Sequence, residues 1–376
     1  MEFRYHLPVN LMFGRGKVNE IGREAVRFGS KALVVTGSSS TKRSGLLGRV
    51  LSLLENEKIE CTVFDKAVPN PTTAISEEGA VTAKENGCDM VIALGGGSVI
   101  DCAKGIAFIA QNGGDINDYI YGRLHSEKAL PIIAVPTTCG TGSEGNGFAV
   151  LTNTDNGDKK SLRSNAIIPK VSVIDPELMQ TMPLSLLASV GFDALCHSME
   201  AYLSKISQPM TDALSLQGMK LIADNLSALY HGSKDLVAWD NVTWASTVGG
   251  MVINTAGVAL PHGMEHPASG LKNIVHGKGL AALTPVITDE SCTFAPERYL
   301  DISRILGGKS AFDCGDAIRK LLADIGLGTT LSQQGITEDD IPWMTENCFK
   351  VSAASIHNHP MTADKDKVYR LYEKAL

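Results

Sequence analysis

Five short apolar runs rich in β-branched residues punctuate the first half of the chain: Ala32–Thr36, Cys61–Phe64, Met90–Leu94, Ile132–Val135 and Val171–Ile174. Helical stretches lie between the early ones, near Gly45–Asn56, Ala74–Asn86 and Val99–Ile109. Runs this uniformly apolar suit strands buried on both faces, and strands separated by helices imply crossover connections and a parallel sheet. Such a sheet is the architecture of nucleotide-binding domains. Beyond Asp175-Pro176 the pattern changes to long helical periodicity, at Leu184–Leu203, Met210–Tyr230 and Val237–Asn254, then Pro296–Leu306 and Ala311–Ile325. At 376 residues the chain exceeds one ordinary core. The expected organisation is an α/β dinucleotide-binding domain over residues 1–180 and an all-α domain over residues 181–376. No repeat or polar linker separates them, so they should pack directly together.

Composition narrows the partners. A net charge of -7 offers no basic stripe to a nucleic-acid backbone. No apolar run approaches the ~18–20 residues that span a bilayer. The opening MEFRYHLPVNLMFGRG carries Glu2, Arg4 and His6 and lacks the apolar core of a secretory signal. Eight isolated cysteines without a CxxC pair suit reduced thiols and a cytoplasmic location. Bulky apolar and polar residues alternate over Phe3–Phe13, which reads as an extra edge strand. Edge strands leave backbone groups unpaired, and a two-fold homodimer is a common way to cover them.

The helical half carries a group of metal-binding side chains. Asp193 and His197 stand four residues apart in GFDALCHSMEAY, as do His262 and His266 in PHGMEHPASGLKNIVHGKG, with His276 following. Residues at i and i+4 share one helix face, so each pair converges on a point. A carboxylate with three imidazoles completes a divalent-metal site, and five candidates leave one group free to carry a proton. A lone histidine is usually a packing or surface residue. Three within fifteen positions, after an Asp-x3-His pair, favour a ligand set.

Three polar loops leave the strands at their C-terminal ends. Gly95-Gly96-Gly97-Ser98 follows the third run and opens a helix, where glycines admit close backbone approach to an anion. Ser98 and Asp101 there also fit a capping box. Pro136-Thr137-Thr138-Cys139-Gly140-Thr141-Gly142-Ser143-Glu144 follows the fourth, and Pro69-Asn70-Pro71-Thr72 follows the second, aiming Asn70 outward. Three such loops on one sheet edge point to a ligand there.

Together, GGGSVIDCAKGIA, PTTCGTGSE, GFDALCHSMEAY and HGMEHPASGLKNIVHG resemble the iron-containing, or group III, alcohol dehydrogenases, from about residue 5 to the C-terminus. The resemblance implies the dehydroquinate synthase-like architecture, hydride transfer between a nicotinamide cofactor and a small alcohol or aldehyde, and a metal between the domains. It assigns Asp193, His197, His262 and His276 as ligands of Fe2+, a set that also suits Zn2+, and His266 as a proton-relay residue. It assigns Gly96, Gly97 and Ser98 to the pyrophosphate. Thr137, Thr138, Thr141, Asn70 and Lys159 become cofactor contacts. Family members often dimerise or form larger rings.

Three departures stand out. Gly37 replaces an aspartate that many NAD-using members place after the first strand, and Ser38, Ser39, Ser40, Thr41, Lys42 and Arg43 follow it. Loss of that carboxylate favours NADP(H) over NAD(H), with Gly37 and Ser38 lining the ribose end. Asn358-His359-Pro360-Met361 and Glu265 also differ from the family pattern, and bear on the substrate. Phe148, Ile253 and Ser355 are the expected pocket walls. Dehydroquinate synthase-like and sugar-phosphate dehydrogenase chemistries share this plan, but call for basic residues around the metal, which the sequence beside the histidines lacks. A nucleotide-binding module without catalysis is the remaining alternative.

Overall fold

The computed structural model describes residues 2–376. Eight strands form: β1 (Asn10–Phe13), β2 (Lys31–Gly37), β3 (Glu60–Ala67), β4 (Met90–Gly95), β5 (Ile132–Pro136), β6 (Phe148–Asn153), β7 (Asp158–Arg163) and β8 (Val171–Ile174). Six of them make one parallel sheet in the order β1-β8-β5-β4-β2-β3. The helices on this half are α1 (Ile21–Ala25), α2 (Ser40–Arg43), α3 (Leu46–Asn56), α4 (Thr73–Glu85), α5 (Gly97–Asn112) and α6 (Ile116–Ile120). The central strands are apolar throughout because both faces are covered. Leu33, Val35, Val91 and Ala93 join one cluster with α5, while Val34, Ile92, Leu94 and Val135 join another with α3.

The second half is helical: α7 (Leu184–Leu203), α8 (Pro209–Tyr230), α9 (Leu236–Ala256), α10 (Leu260–Lys272) and α11 (His276–Ser291). It continues through α12 (Pro296–Ile305), α13 (Cys314–Asp324), α14 (Ile341–Val351), α15 (Ala353–Asn358) and α16 (Lys365–Ala375). Phe192, Leu195, Met219, Val242 and Leu280 knit α7, α8, α9 and α11 into one core.

Three local expectations need correction. The opening strand is only Asn10–Phe13, pairing with β8 at the sheet edge. Pro8 lacks the N–H that an extended ladder would need. Ser98 does not cap α5, which starts at Gly97 with Gly96 in the cap position and no side-chain bond. Asp101 instead accepts from Ser143 Oγ at 2.6 Å and from the Val150 N–H at 3.1 Å, tying α5 to the loop after β5 and to β6. The third correction is the antiparallel β6–β7 hairpin, where the sequence showed no strands.

Two close glycine contacts seat the halves together. A Cβ on Gly250 of α9 would lie 1.8 Å from the Gly142 carbonyl oxygen, and one on Gly270 of α10 would lie 2.1 Å from that of Gly157. The loop after β5 and the hairpin turn therefore touch the helical backbone directly.

Candidate metal and nucleotide site

On α7, Asp193 and His197 occupy successive turns of a nearly all-buried helix. On α10, His262 and His266 do the same. Pro267 removes one helical donor there, and the Gly263 carbonyl accepts instead from Cys348 Sγ at 3.2 Å. Asn273 then ends α10 in the left-handed region at φ 52, and the chain turns back so that His276 opens α11.

These turns gather three imidazoles around a single oxygen. Asp193 Oδ1 lies 3.6 Å from His197 Nε2, 3.4 Å from His262 Nε2 and 3.5 Å from His276 Nε2. Four donors at metal bonds of 2.0–2.2 Å in a tetrahedron stand about 3.3–3.6 Å apart, so the spacing fits an ion among them. The donor atoms of Asp193, His262 and His276 all lie within 4.8 Å of one another. His197 joins them through Asp193, its ring stacked on His262 with centroids 4.6 Å apart. Asp193 Oδ1 and His262 Nε2 are buried without hydrogen-bond partners, which is costly unless an ion satisfies them.

Each imidazole is held from behind. His262 Nδ1 donates to Glu200 Oε1 at 2.6 Å, His276 Nδ1 closes on Glu265 Oε2, and His197 Nδ1 donates to the Gly140 carbonyl at 3.3 Å. Outer partners of this kind fix the tautomer that leaves Nε2 free for a metal. Burial alone would raise the Asp193 carboxyl, but His197, His276 and His262 outweigh it and hold the group well below its usual range. Burial draws His197 down to about 4, whereas for His262 the Glu200 and Asp193 carboxylates overcome burial and lift it to about 10, so an ion bound at its Nε2 would displace a proton.

His266 stands beside the trio, its ring centroid 6.2 Å from that of His262 and 6.0 Å from that of His276. Burial, with Lys159 nearby, pushes its pKa well below the ordinary value, so it is neutral at pH 7.

A cleft of about 130 Å³ opens in front of these groups. Asp193, His197, His262, His266 and His276 line it from the helical half, and Asn70, Ser98, Thr141 and Lys159 from the α/β half. Asn70 reaches across, donating to Asn273 Oδ1 at 2.7 Å and accepting from Lys159 Nζ at 3.0 Å. Gly96 and Gly97 face the loop after β5 so closely that a Cβ would sit 2.8 Å from Thr138 Oγ1 or 2.3 Å from Thr141 Oγ1. Thr137 lines a second cavity of about 180 Å³ with Leu178 and with Ser40 and Thr41, which follow β2.

Several side chains took roles that the linear sequence hid. Glu265 is fully buried and turned away from the cleft, contacting His276 and Lys159 (3.6 Å), so it bears on a ligand's position rather than on substrate contact. Glu200 follows Asp193 by seven residues and His197 by three, and helical spacing was the available signal. Lys104 is wholly buried and donates to Ser143 O, Asn146 O and Phe148 O at 2.7, 2.9 and 2.7 Å, with burial lowering it to about 8. Phe148 and Ile253 line the cleft. Ser355 does not: it packs behind α10 near Gly263. Asn358 donates to the Ala256 and Val258 carbonyls, bracing the end of α9 away from the cleft lining. The expected lack of basic residues holds only along the chain, because β7 folds Lys159 and Arg163 into the cleft wall.

Residues 8–176 match the iron-containing alcohol dehydrogenase family, and residues 187–376 match the C-terminal region of the same family. The chain is 34% identical to 1,3-propanediol dehydrogenase of Klebsiella pneumoniae, over 99% of this chain and 98% of that protein. It is 30% identical to the NAD-dependent methanol dehydrogenase of Bacillus methanolicus, over 99% of both. Among solved structures, an archaeal halo-thermophilic alcohol dehydrogenase from a Red Sea brine pool superposes with a TM-score of 0.96 at 33% identity, covering 100% of this chain and 99% of that one. The chain belongs to the iron-containing alcohol dehydrogenase family.

Proposed function

We propose that this protein is a divalent-metal-dependent alcohol dehydrogenase and aldehyde reductase using a nicotinamide dinucleotide, acting on small substrates in the cleft between residues 1–180 and 181–376. The observation that carries it is the convergence of three Nε2 atoms on the orphaned Asp193 oxygen, opposite the glycine and threonine loops. Asp193, His197, His262 and His276 would hold the metal, with Fe2+ as the family's ion and Zn2+ fitting the same donors. When bound, the ion supplies Lewis acidity towards an alcohol or carbonyl oxygen, and the nicotinamide supplies or accepts hydride. Gly96, Gly97, Ser98, Thr138 and Thr141 present small groups and backbone N–H towards the pyrophosphate. Lys159 and Asn70 brace the cofactor side, and neutral His266 takes or returns the substrate's proton. Incubation with short aldehydes while following absorbance of the reduced nicotinamide tests this reading. Aldehyde-dependent loss of that absorbance is expected, and none with metal-loaded protein would contradict it.

The expected preference is for NADP(H) over NAD(H), on a changed basis. Lys42 is engaged by Asp65, so Arg43 with Ser38 is left to meet a 2′-phosphate. A side chain at position 37 has room, since a Cβ there meets only the Ala67 carbonyl oxygen at 3.6 Å. Gly37→Asp should therefore fold and shift the kcat/KM ratio towards NAD(H). A wild-type preference of about tenfold or more for NADH would contradict the assignment.

The chain is further expected to form a cytoplasmic homodimer, or a larger homo-oligomer, through edge strand β1. Among the described residues no helix is long and apolar enough to cross a membrane, and all eight cysteines are free thiols. Light scattering across a wide concentration range checks the assembly. A stable monomer refutes it, and a dimer surviving deletion of residues 1–13 refutes only the interface.

A further inference from the structure

The β6–β7 hairpin places Phe148 opposite Arg163, Val150 opposite Ser161 and Thr152 opposite Lys159. Alternate residues of a strand share a face, so Lys159, Ser161 and Arg163 all point into the cleft in front of the histidines. The two cations on this face are in different states. Lys159 is committed to Asn70 at 3.0 Å and to Glu265 at 3.6 Å. Arg163 has no carboxylate or carbonyl partner among the described residues. Its guanidinium lies over Phe148, whose ring centroid is 4.6 Å from the guanidinium carbon. The side chain is exposed at the mouth of the cleft, so its N–H edge is open to solvent or to a ligand.

A guanidinium stacked on a ring uses its face for the ring and keeps its N–H edge free. That edge is the part that pairs in two parallel bonds with a planar or trigonal oxyanion. The wall beside it is apolar: Val150, Ile253 and Val258 line the same cleft.

Resting on the dehydrogenase reading above, we infer that Arg163 selects substrates carrying a terminal anionic group, so that the enzyme acts on short aldehydes or alcohols with a carboxylate or sulfonate at the far end. The reacting oxygen faces the histidine cluster, the carbon segment lies along the apolar wall, and the anion meets the guanidinium edge. Arg163 is a specificity-determining residue in this scheme and takes no part in proton or hydride movement.

The test compares kcat/KM for succinic semialdehyde, sulfoacetaldehyde and neutral butanal in metal-loaded enzyme. The wild type should prefer an anionic aldehyde over butanal, and whichever of the two is faster identifies carboxylate or sulfonate as the recognised group. Arg163→Gln should lower the anionic-to-neutral ratio by roughly tenfold, the low end for a charge-assisted pair because the guanidinium is open to solvent, with the loss mainly in KM. Arg163→Lys should keep part of the preference. A wild type indifferent to charge, or a loss in Arg163→Gln shared equally by butanal, would overturn the inference. Calorimetric titration with butyrate and propanesulfonate reads the same site without turnover: both, or one, should bind the wild type and be weakened in Arg163→Gln. Absence of turnover with every aldehyde would contradict the dehydrogenase reading, while anion binding would still decide the role of Arg163.

Discussion

His197→Ala is expected to strip the protein of its metal and reduce turnover to background. His197 contributes one of three Nε2 atoms within 3.6 Å of Asp193 Oδ1, and its ring is locked by the Gly140 carbonyl and by stacking on His262. Truncation leaves at most two imidazoles and a carboxylate. Even loss of an outer partner of a ligating histidine costs roughly 10–100-fold in metal affinity, and loss of the ligand itself should cost more. Glu200→Gln and Glu265→Gln provide the graded comparison, since they sit behind His262 and His276 and should fall in that smaller range. Elemental analysis of purified variants makes the measurement. Full metal occupancy in His197→Ala would remove His197 from the ligand set.

His266→Ala should separate chemistry from metal binding. The ring lines the cleft with centroids 6.2 and 6.0 Å from His262 and His276, and it is not one of the three imidazoles that close on Asp193 Oδ1. Its neutral state leaves a nitrogen able to accept a proton from an alcohol, or to relay one to a reduced product. Loss of a positioned acid–base group costs roughly 10²–10⁴-fold in rate. Turnover should fall by that amount while metal content stays at the wild-type level. An emptied metal site would make His266 a ligand. A fall in melting temperature with near-normal turnover would make it a packing residue.

The central parallel strands were legible because they are buried on both faces, so Met90–Leu94 and Ile132–Val135 read as unbroken apolar runs. The long helices α7 and α8 carried their period plainly. The β6–β7 hairpin did not. Its second strand, Asp158–Arg163, buries Asp158 through Asn347 and Lys350 and turns Lys159, Ser161 and Arg163 into a cleft, so the composition that marks a strand is missing. Its turn closes through Gly157 at φ 74, packed against α10. The same polarity concealed the basic cleft wall.

At the site, the i, i+4 spacings of Asp193 with His197 and His262 with His266 were visible, because helical period alone fixes which side chains share a face. What supports them was not. Glu200 and Glu265 act across helices, on His262 and His276 respectively, and nothing in the linear order pairs α7 with α10 or α10 with α11. Asp101 illustrates the converse. Its place three residues after Ser98 suggested a local cap, but Ser143 and Val150, distant in sequence, claim both of its oxygens.

The most direct test removes the metal from purified enzyme with a chelator, then restores one equivalent of Fe2+ or Zn2+ while aldehyde-dependent oxidation of the reduced nicotinamide is followed. The account predicts that turnover disappears on stripping and returns with the ion in the wild type, but does not return in His197→Ala. Turnover unaffected by stripping, or restored equally in His197→Ala, would contradict it.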